Sequence, residues 1–200
     1  MQKFTLASTD ERLTIAASSW LEEALFEGAF AVDCTVGNGY DTVFLAHRVG
    51  PTGKVIGFDV QKAAIGSARE VLKFVGSIDR VTLILDSHSN MEKYLSAGMK
   101  IHGAMFNLGY LPRGDHEIIT RPETTIPAIR IVLARLAPGG RLTVLAYRGH
   151  PGGVVEYEAL FAFFKEIEPG DYRVEEYAST ADSPEAPRLF RIEKPKEIAS

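Results

Sequence analysis

Apolar residues in this chain occur in two alternating patterns. Short continuous runs end in a polar residue: AV before Asp33, VIGF before Asp59, VTLIL before Asp86, AMF before Asn107 and LTVLA before Tyr147. Between them lie amphipathic stretches at helical spacing, such as Leu13, Ala16, Ala17, Trp20, Leu21, Ala24 and Leu25, or Ile65, Ala68, Leu72 and Val75. Continuous runs bounded by turn residues read as strands buried on both faces, and the period near 3.6 reads as helices packed on them. Ser8 and Glu11 have capping-box spacing, so a first helix is predicted after them, ending near Gly28. Strands follow at about 30–34, 54–59, 81–85, 101–108 and 141–147, separated by helices at about 41–48, 62–75, 91–97 and 123–136. Pro127 leaves the start of the last of these open, and PGG at 138–140 ends it. A helix at about 154–167 precedes two final strands, about 172–178 and 188–193.

Strand–helix alternation predicts an α/β fold, a doubly wound and mostly parallel sheet with helices on both faces. The last two strands have no helix between them, so they pair antiparallel. The prediction is a seven-stranded sheet with one reversed strand near an edge. One domain spans 1–200, with an N-terminal helical segment over 1–28 and a frayed tail over 194–200. Ligands of such sheets bind beyond the carboxyl ends of the strands. Asp33, Asp59, Asp86, Asn107 and Tyr147 all fall at or just past those ends.

The stretch AVDCTVGNGYDT carries the most chemistry. Gly37 and Gly39 flank Asn38 between a strand and a helix, where glycine lets the backbone approach a ligand and the helix N-terminus offers unpaired N–H groups. A nicotinamide loop reads G-x-G-x-x-G, but here Tyr40, Asp41 and Thr42 follow and the third glycine is missing. Asp33 before the loop suits a cationic group such as an ammonium near a sulfonium. Asp59 suits a ribose diol, and Asp86 with Ser87 suits an adenine amine and ring nitrogen. Together these favour S-adenosylmethionine over NAD. Plainer readings stand beside them: Asp33 as a turn cap, Asp59 as a solvated strand end, Asp86 as a helix cap. Cys34 reads as a small core residue.

Charge and composition narrow this further. The chain has 200 residues, 46% of them hydrophobic, and a formal net charge of -4. A nucleic-acid partner therefore needs a local basic patch. Residues 100–150 hold Lys100, Arg113, Arg121, Arg130, Arg135, Arg141 and Arg148 against Asp115, Glu117 and Glu123, an excess of four. Arg113, Arg121 and Arg148 fall in loops near the expected site and are assigned to RNA phosphates. Arg130 and Arg135 read as solvated helix-face residues. Cys34 is the single cysteine, which excludes an internal disulfide and a cysteine-based zinc site, and no metal is assigned. The first residues lack a signal-peptide core and no apolar run is long enough to span a membrane, so a cytoplasmic location is expected.

The segments AVDCTVGNGYDT, VIGFDVQ, DSHSNM, FNLGYLPRGDHEIITRPETT and RGHPGG resemble a known family. Over roughly 30–153 the chain is similar to the class I S-adenosylmethionine-dependent methyltransferases of Rossmann-like fold. Within them it resembles the bacterial "putative rRNA methylase" family, which includes the MnmM-type tRNA methyltransferases. Where the general methyltransferase loop has glycine this chain has Thr35, and where the narrower family has His it has Tyr40. The resemblance implies transfer of a methyl group to 5-aminomethyl-2-thiouridine at the wobble position, with a tRNA anticodon stem-loop as partner and a homodimer as the assembly. It implies cofactor contacts from Asp33, Thr35, Gly37, Asn38, Gly39, Asp41, Thr42, Asp59, Gln61, Asp86, Ser87 and Asn107.

The acceptor side is read from two loops. Asn107-Leu108-Gly109-Tyr110 stands where amine-methylating relatives of this fold carry an Asn-Pro-Pro-Tyr type motif, both prolines being absent here. In that comparison Asn107 and the Leu108 carbonyl accept from the target amine and Tyr110 stacks on the base. Asp115 and His116 on the same loop, and His150 in RGHPGG, are candidates for taking a proton or binding the base edge. Competing functions are methylation of rRNA or of a small-molecule amine, a nicotinamide-dependent oxidoreductase, and a non-catalytic cofactor-binding module.

Overall fold

The apolar runs assemble into one sheet. In the computed structural model, which describes residues 6–9, 12–111, 114–115, 117–168, 170–179, 183 and 185–196, eight strands are hydrogen-bonded. They are β1 (Leu6–Thr9), β2 (Phe30–Asp33), β3 (Lys54–Asp59), β4 (Val81–Leu85), β5 (Ile101–Leu108), β6 (Leu136–Ala146), β7 (Arg173–Ser179) and β8 (Arg188–Glu193). The spatial order is β1-β7-β8-β6-β5-β2-β3-β4. Neighbours run parallel except at β8, which is antiparallel to both β6 and β7. The seven expected strands and the reversed one are present, and β1 adds an eighth at the edge.

Helices α1 (Leu13–Glu22), α2 (Tyr40–Arg48), α3 (Lys62–Phe74), α4 (Pro122–Arg135) and α5 (Gly153–Lys165) cover the sheet. Period-2 alternation sorts the strand residues between two cores. Val32, Phe58, Phe106, Val144 and Phe190 pack with Ile129, Val132 and Leu160 of α4 and α5. Ala31, Val55, Met105, Leu145 and Leu189 face the other way, onto Leu13 and Leu21 of α1, Leu45 of α2 and Leu72 of α3. Cys34 is buried in the first of these cores, as a small apolar residue would be. Among the described residues no helix is long and apolar enough to cross a membrane.

Several local expectations change. Ser8 lies in β1, and α1 starts after Arg12 with no side chain capping it; Glu11, the other half of the expected capping box, lies outside the described residues. The first helix stops at Glu22, short of Gly28. A 3-10 helix over His88–Tyr94 replaces the expected helix at 91–97, and Ser87 caps its start by accepting from the Ser89 N–H. Pro138 to Gly140 lie inside β6, whose register against β5 shifts there: Ile101 faces Leu136 but Gly103 faces Arg141. Pro122 opens α4 and Pro127 lies inside it. Of the tail, Lys194 is still paired with Gly139 and Gly140, and 197–200 are outside the described residues.

Gly39 is a tight backbone passage beside the expected site. It sits before α2 at φ 85°, and a Cβ there would lie 2.8 Å from Cα and Cβ of Ala68 on α3. Gly39→Ala is expected to lower stability by about 2 kcal/mol, through the left-handed φ and the clash together. Gly66→Ala, in α3 with open space around it, should be neutral or stabilising, by up to about 1 kcal/mol. Chemical denaturation of the two variants checks the contrast.

Candidate active site

The carboxyl ends of β2, β3, β4, β5 and β6 meet at one edge of the sheet, over a cavity of about 1090 Å³. Asp33 ends β2 without reaching it. Its side chain is fully buried, accepting from the Thr35 N–H at 3.1 Å and from the Thr42 hydroxyl at 2.5 Å. Burial first, and the neighbouring Asp41 second, push its carboxyl up to about 7. Asp33 and Thr42 thus stand behind the glycine loop, and neither lines the cavity. Thr35, Gly37, Asn38, Tyr40 and Asp41 form the face in front. Asp41 is held by the Asn107 side-chain amide, which donates to it, and burial raises its carboxyl.

The next two acids do reach the cavity. Asp59 accepts from the N–H groups of Gly37 at 2.9 Å and Gln61 at 2.8 Å, so it ties β3 to the glycine loop. Asp86 accepts from Asn90, Tyr94 and the Ser87 N–H at 2.7 to 2.9 Å. The Asn90 bond first, then that of Tyr94, hold its carboxyl below the usual value. Ser87 lines the same wall.

Asn107, Tyr110 and His150 converge on the opposite side. The Asn107 N–H donates to the Thr35 hydroxyl oxygen at 2.7 Å, so strand β5 and the glycine loop are joined through both backbone and side chain of one residue. Gly109 and Thr120 close the neck of the following loop by two bonds of 2.9 Å, and Tyr110 bridges to Ile119 beyond them. The loop reaches across to β3, where the Asp115 N–H donates to the Gln61 side chain at 3.3 Å. Asp115 itself is exposed, does not line the cavity, and accepts from Glu117. His150 Nδ1 lies 3.0 Å from the Pro151 carbonyl and its ring meets Tyr110 edge-on at 5.7 Å. Its Nε2 is buried with no partner among the described residues. Arg113 and His116 lie outside the described residues.

The arginines divide by role. Arg121 is exposed at the mouth. Arg148 does not face the cavity: its guanidinium covers the Tyr157 ring at 4.6 Å. Arg135 pairs with Glu92, and Arg141 with Glu23 and Glu193.

Three residues of the site are absent from the sequence-based assignment. His88 lines the cavity with Nδ1 2.9 Å from the Cys34 carbonyl, and burial lowers its pKa. Tyr147, noted only as a strand end, borders the cavity with its hydroxyl raised by burial and by Asp41. Glu156, at the start of α5, is buried between Thr120 and Thr125. The SHS triplet after an acidic strand end was a signal for His88; nothing local marks Glu156.

The family model described as "Putative rRNA methylase" matches residues 55–193. The chain belongs to this rRNA methylase family. Its similarity to two solved structures extends over 93% of the chain. A Clostridium thermocellum protein described as a "putative rRNA-methylase" is 41% identical, with a TM-score of 0.89 over 93% of this chain and 99% of that one. A Streptococcus mutans "putative methyltransferase", solved in complex with SAH, is 39% identical, with a TM-score of 0.84 over the same shares. An Arabidopsis thaliana protein, "tRNA (mnm(5)s(2)U34)-methyltransferase, chloroplastic", is 36% identical over 159 residues, 76% of this chain. The chain spans 58% of that relative's length. In this rRNA methylase fold the glycine loop, the two strand-end acids Asp59 and Asp86, and Asn107 line one cavity.

The raised carboxyl of Asp33 gives a signed pH dependence. A folded-state value near 7 against an ordinary 3.8 means that the native protein holds this proton more tightly than the unfolded chain does. The contribution is fully present below about 4 and lost as pH rises towards about 7. Asp33→Asn is therefore expected to flatten the fall in denaturation midpoint between pH 5 and pH 7.5 relative to the unsubstituted protein. Parallel curves for the two proteins would refute the assignment.

Proposed function

We propose that the chain is an S-adenosylmethionine-dependent N-methyltransferase that converts 5-aminomethyl-2-thiouridine at the tRNA wobble position into 5-methylaminomethyl-2-thiouridine. The observation that carries this reading is the double link from Asn107 to Thr35 and Asp41, which sets an amine-accepting motif beside a donor loop. The name of the plant relative supports the acceptor, and the SAH complex of the Streptococcus mutans relative supports the donor.

The residues present fit that cofactor. Asp59 keeps a lone pair on each oxygen beyond those given to Gly37 and Gln61, enough for a ribose diol. Asp86 and Ser87 offer an acceptor and a hydroxyl to an adenine edge, and Asp41 offers a buried carboxylate to an ammonium. When bound, S-adenosylmethionine supplies a methyl group already activated for displacement. The chain's own work is to place and deprotonate the amine.

Asn107 spends its NH₂ on Asp41, so its Oδ1 is the atom left to accept from the target amine. The Leu108 carbonyl accepts from the Tyr147 N–H at 3.3 Å and retains a second lone pair for the same amine. His150 is the base assigned to take the proton: its Nδ1–H donates to the Pro151 carbonyl, which leaves the buried Nε2 as the accepting nitrogen. Tyr110 and Tyr147, each 42% exposed, offer aromatic faces to the base. Arg121 contacts backbone phosphate at the mouth. The family's description favours one alternative, methylation of rRNA.

Incubating the protein with S-adenosylmethionine and aminomethyl-containing tRNA, then analysing nucleosides by mass spectrometry, is expected to show methylaminomethyl-thiouridine. Methyl incorporation into rRNA but not tRNA would sink the wobble reading. Asn107→Ala is expected to cut turnover about 100-fold. SAH affinity by calorimetry should change far less, and equal losses in both would remove Asn107 from the acceptor role.

A further inference from the structure

A buried carboxylate stands behind the acceptor loop, and nothing in the cofactor or amine chemistry above uses it. Glu156 is 2% exposed. Its Oε2 accepts from the Thr120 hydroxyl at 2.6 Å and its Oε1 from the Thr125 hydroxyl at 2.7 Å. Thr120 in turn accepts, on the same hydroxyl oxygen, the Gly109 N–H at 2.9 Å. The direction of this chain is fixed at one end, because a backbone N–H can only donate. The Thr120 oxygen takes that proton and turns its own hydrogen to Glu156. A relay thus runs from the Gly109 N–H through the Thr120 hydroxyl to the carboxylate.

A carboxylate is a costly way to join two helices. Burial raises the Glu156 carboxyl, against which the two hydroxyls and the charge of His150 act. An apolar residue of similar volume would pack α5 against α4 without the desolvation cost. It could not accept the Thr120 hydroxyl, and Thr120 would then have no directed bond to carry to Gly109. The bonded residue matters as well. Gly109 lies two residues after Asn107, with φ at 154°, and its carbonyl accepts the Thr120 N–H at 2.9 Å. Both polar backbone groups of Gly109 are therefore held by one threonine.

We infer that Glu156 is a positioning residue for methyl transfer, holding through Thr120 the neck of the loop that follows Asn107 and carries Tyr110 to the acceptor. This rests on the amine-methyltransferase reading above. Glu156 touches neither acceptor nor donor; it sets where the acceptor motif stands. Loss of the relay loosens the loop by a fraction of its length and leaves the glycine loop, pinned separately by Asp33 and Asp59, as it was.

The test compares Glu156→Met, Thr120→Val and the conservative variants Glu156→Gln and Thr120→Ser by three readouts. Steady-state methylation of aminomethyl-tRNA is expected to show kcat lowered about 10- to 100-fold in Glu156→Met and Thr120→Val, as for a misplaced reactant. KM for S-adenosylmethionine and the calorimetric affinity for SAH should stay within about twofold. Glu156→Gln, which keeps an oxygen that accepts the Thr120 hydroxyl, and Thr120→Ser, which keeps the hydroxyl, should retain most of kcat. The double variant Glu156→Met/Thr120→Val should fall no further than either single one, since both cut the same relay. Hydrogen exchange of the SAH-bound protein should accelerate in segment 107–111 of Glu156→Met and not in 31–39. Unchanged kcat and exchange in Glu156→Met, parallel loss of SAH affinity, or multiplicative loss in the double variant would each overturn the inference. If the unsubstituted protein methylates no tRNA while the exchange contrast holds, the substrate reading fails and the anchoring role stands.

Discussion

A carboxylate with no access to solvent must find its hydrogen-bond donors inside the protein, and Asp33 finds them on either side of the glycine loop. The Thr35 N–H precedes the loop and the Thr42 hydroxyl follows it, so one side chain clamps the loop at both ends. With Thr35 held, its hydroxyl oxygen is in place for the Asn107 N–H, and Asn107 reaches Asp41 on the first turn of α2. Asp59 takes the Gly37 N–H from the other flank. The glycine loop, strand β5 and the Asp59 carboxylate share one set of bonds.

Most of the fold was legible because its parallel strands are buried on both faces and therefore read as unbroken apolar runs. The strand ends at Asp59 and Asn107 were legible for the same reason: a polar residue that closes such a run has nowhere else to be. What escaped depended on pairing across long sequence separations. The four residues of β1 become a strand only because β7 lies beside them, with Leu6 facing Glu176. Depth was equally invisible. Asp33 and Asp41 both flank the glycine loop in sequence, and only the packing of α2 decides that Asp33 is behind it. Glu156 in GVVEYEALFAFF reads as a solvent-facing helix glutamate, and its two hydroxyl partners are 36 and 31 residues away.

The basic excess between residues 100 and 150 also changes meaning once partners are assigned. Arg135 and Arg141 are bound to glutamates, Arg130 covers Phe163, and Arg148 lies on Tyr157. A sum of formal charges counts these equally with Arg121, yet a guanidinium already committed to a carboxylate or an aromatic face has less to offer a phosphate. Among the described residues the usable positive charge at the mouth is therefore local and small, and the exposed aromatic faces of Tyr110 and Tyr147 stand beside it.

The reversed strand has a consequence for the order of assembly. β8 is the last strand along the chain but an interior one in space, seated between β6 and β7. Until it emerges from the ribosome, β6 presents an open edge beside the cavity, and β7 with its later partner β1 has no sheet to join. The half of the sheet built from β2 to β5 can pair earlier, from contacts closer in sequence. Closure of the described sheet is thus an insertion event, in which β8 fills a gap between elements made before it. Synthesis exposes the β6 edge for as long as the ribosome takes to deliver that strand, an interval in which a chaperone has a defined surface to protect.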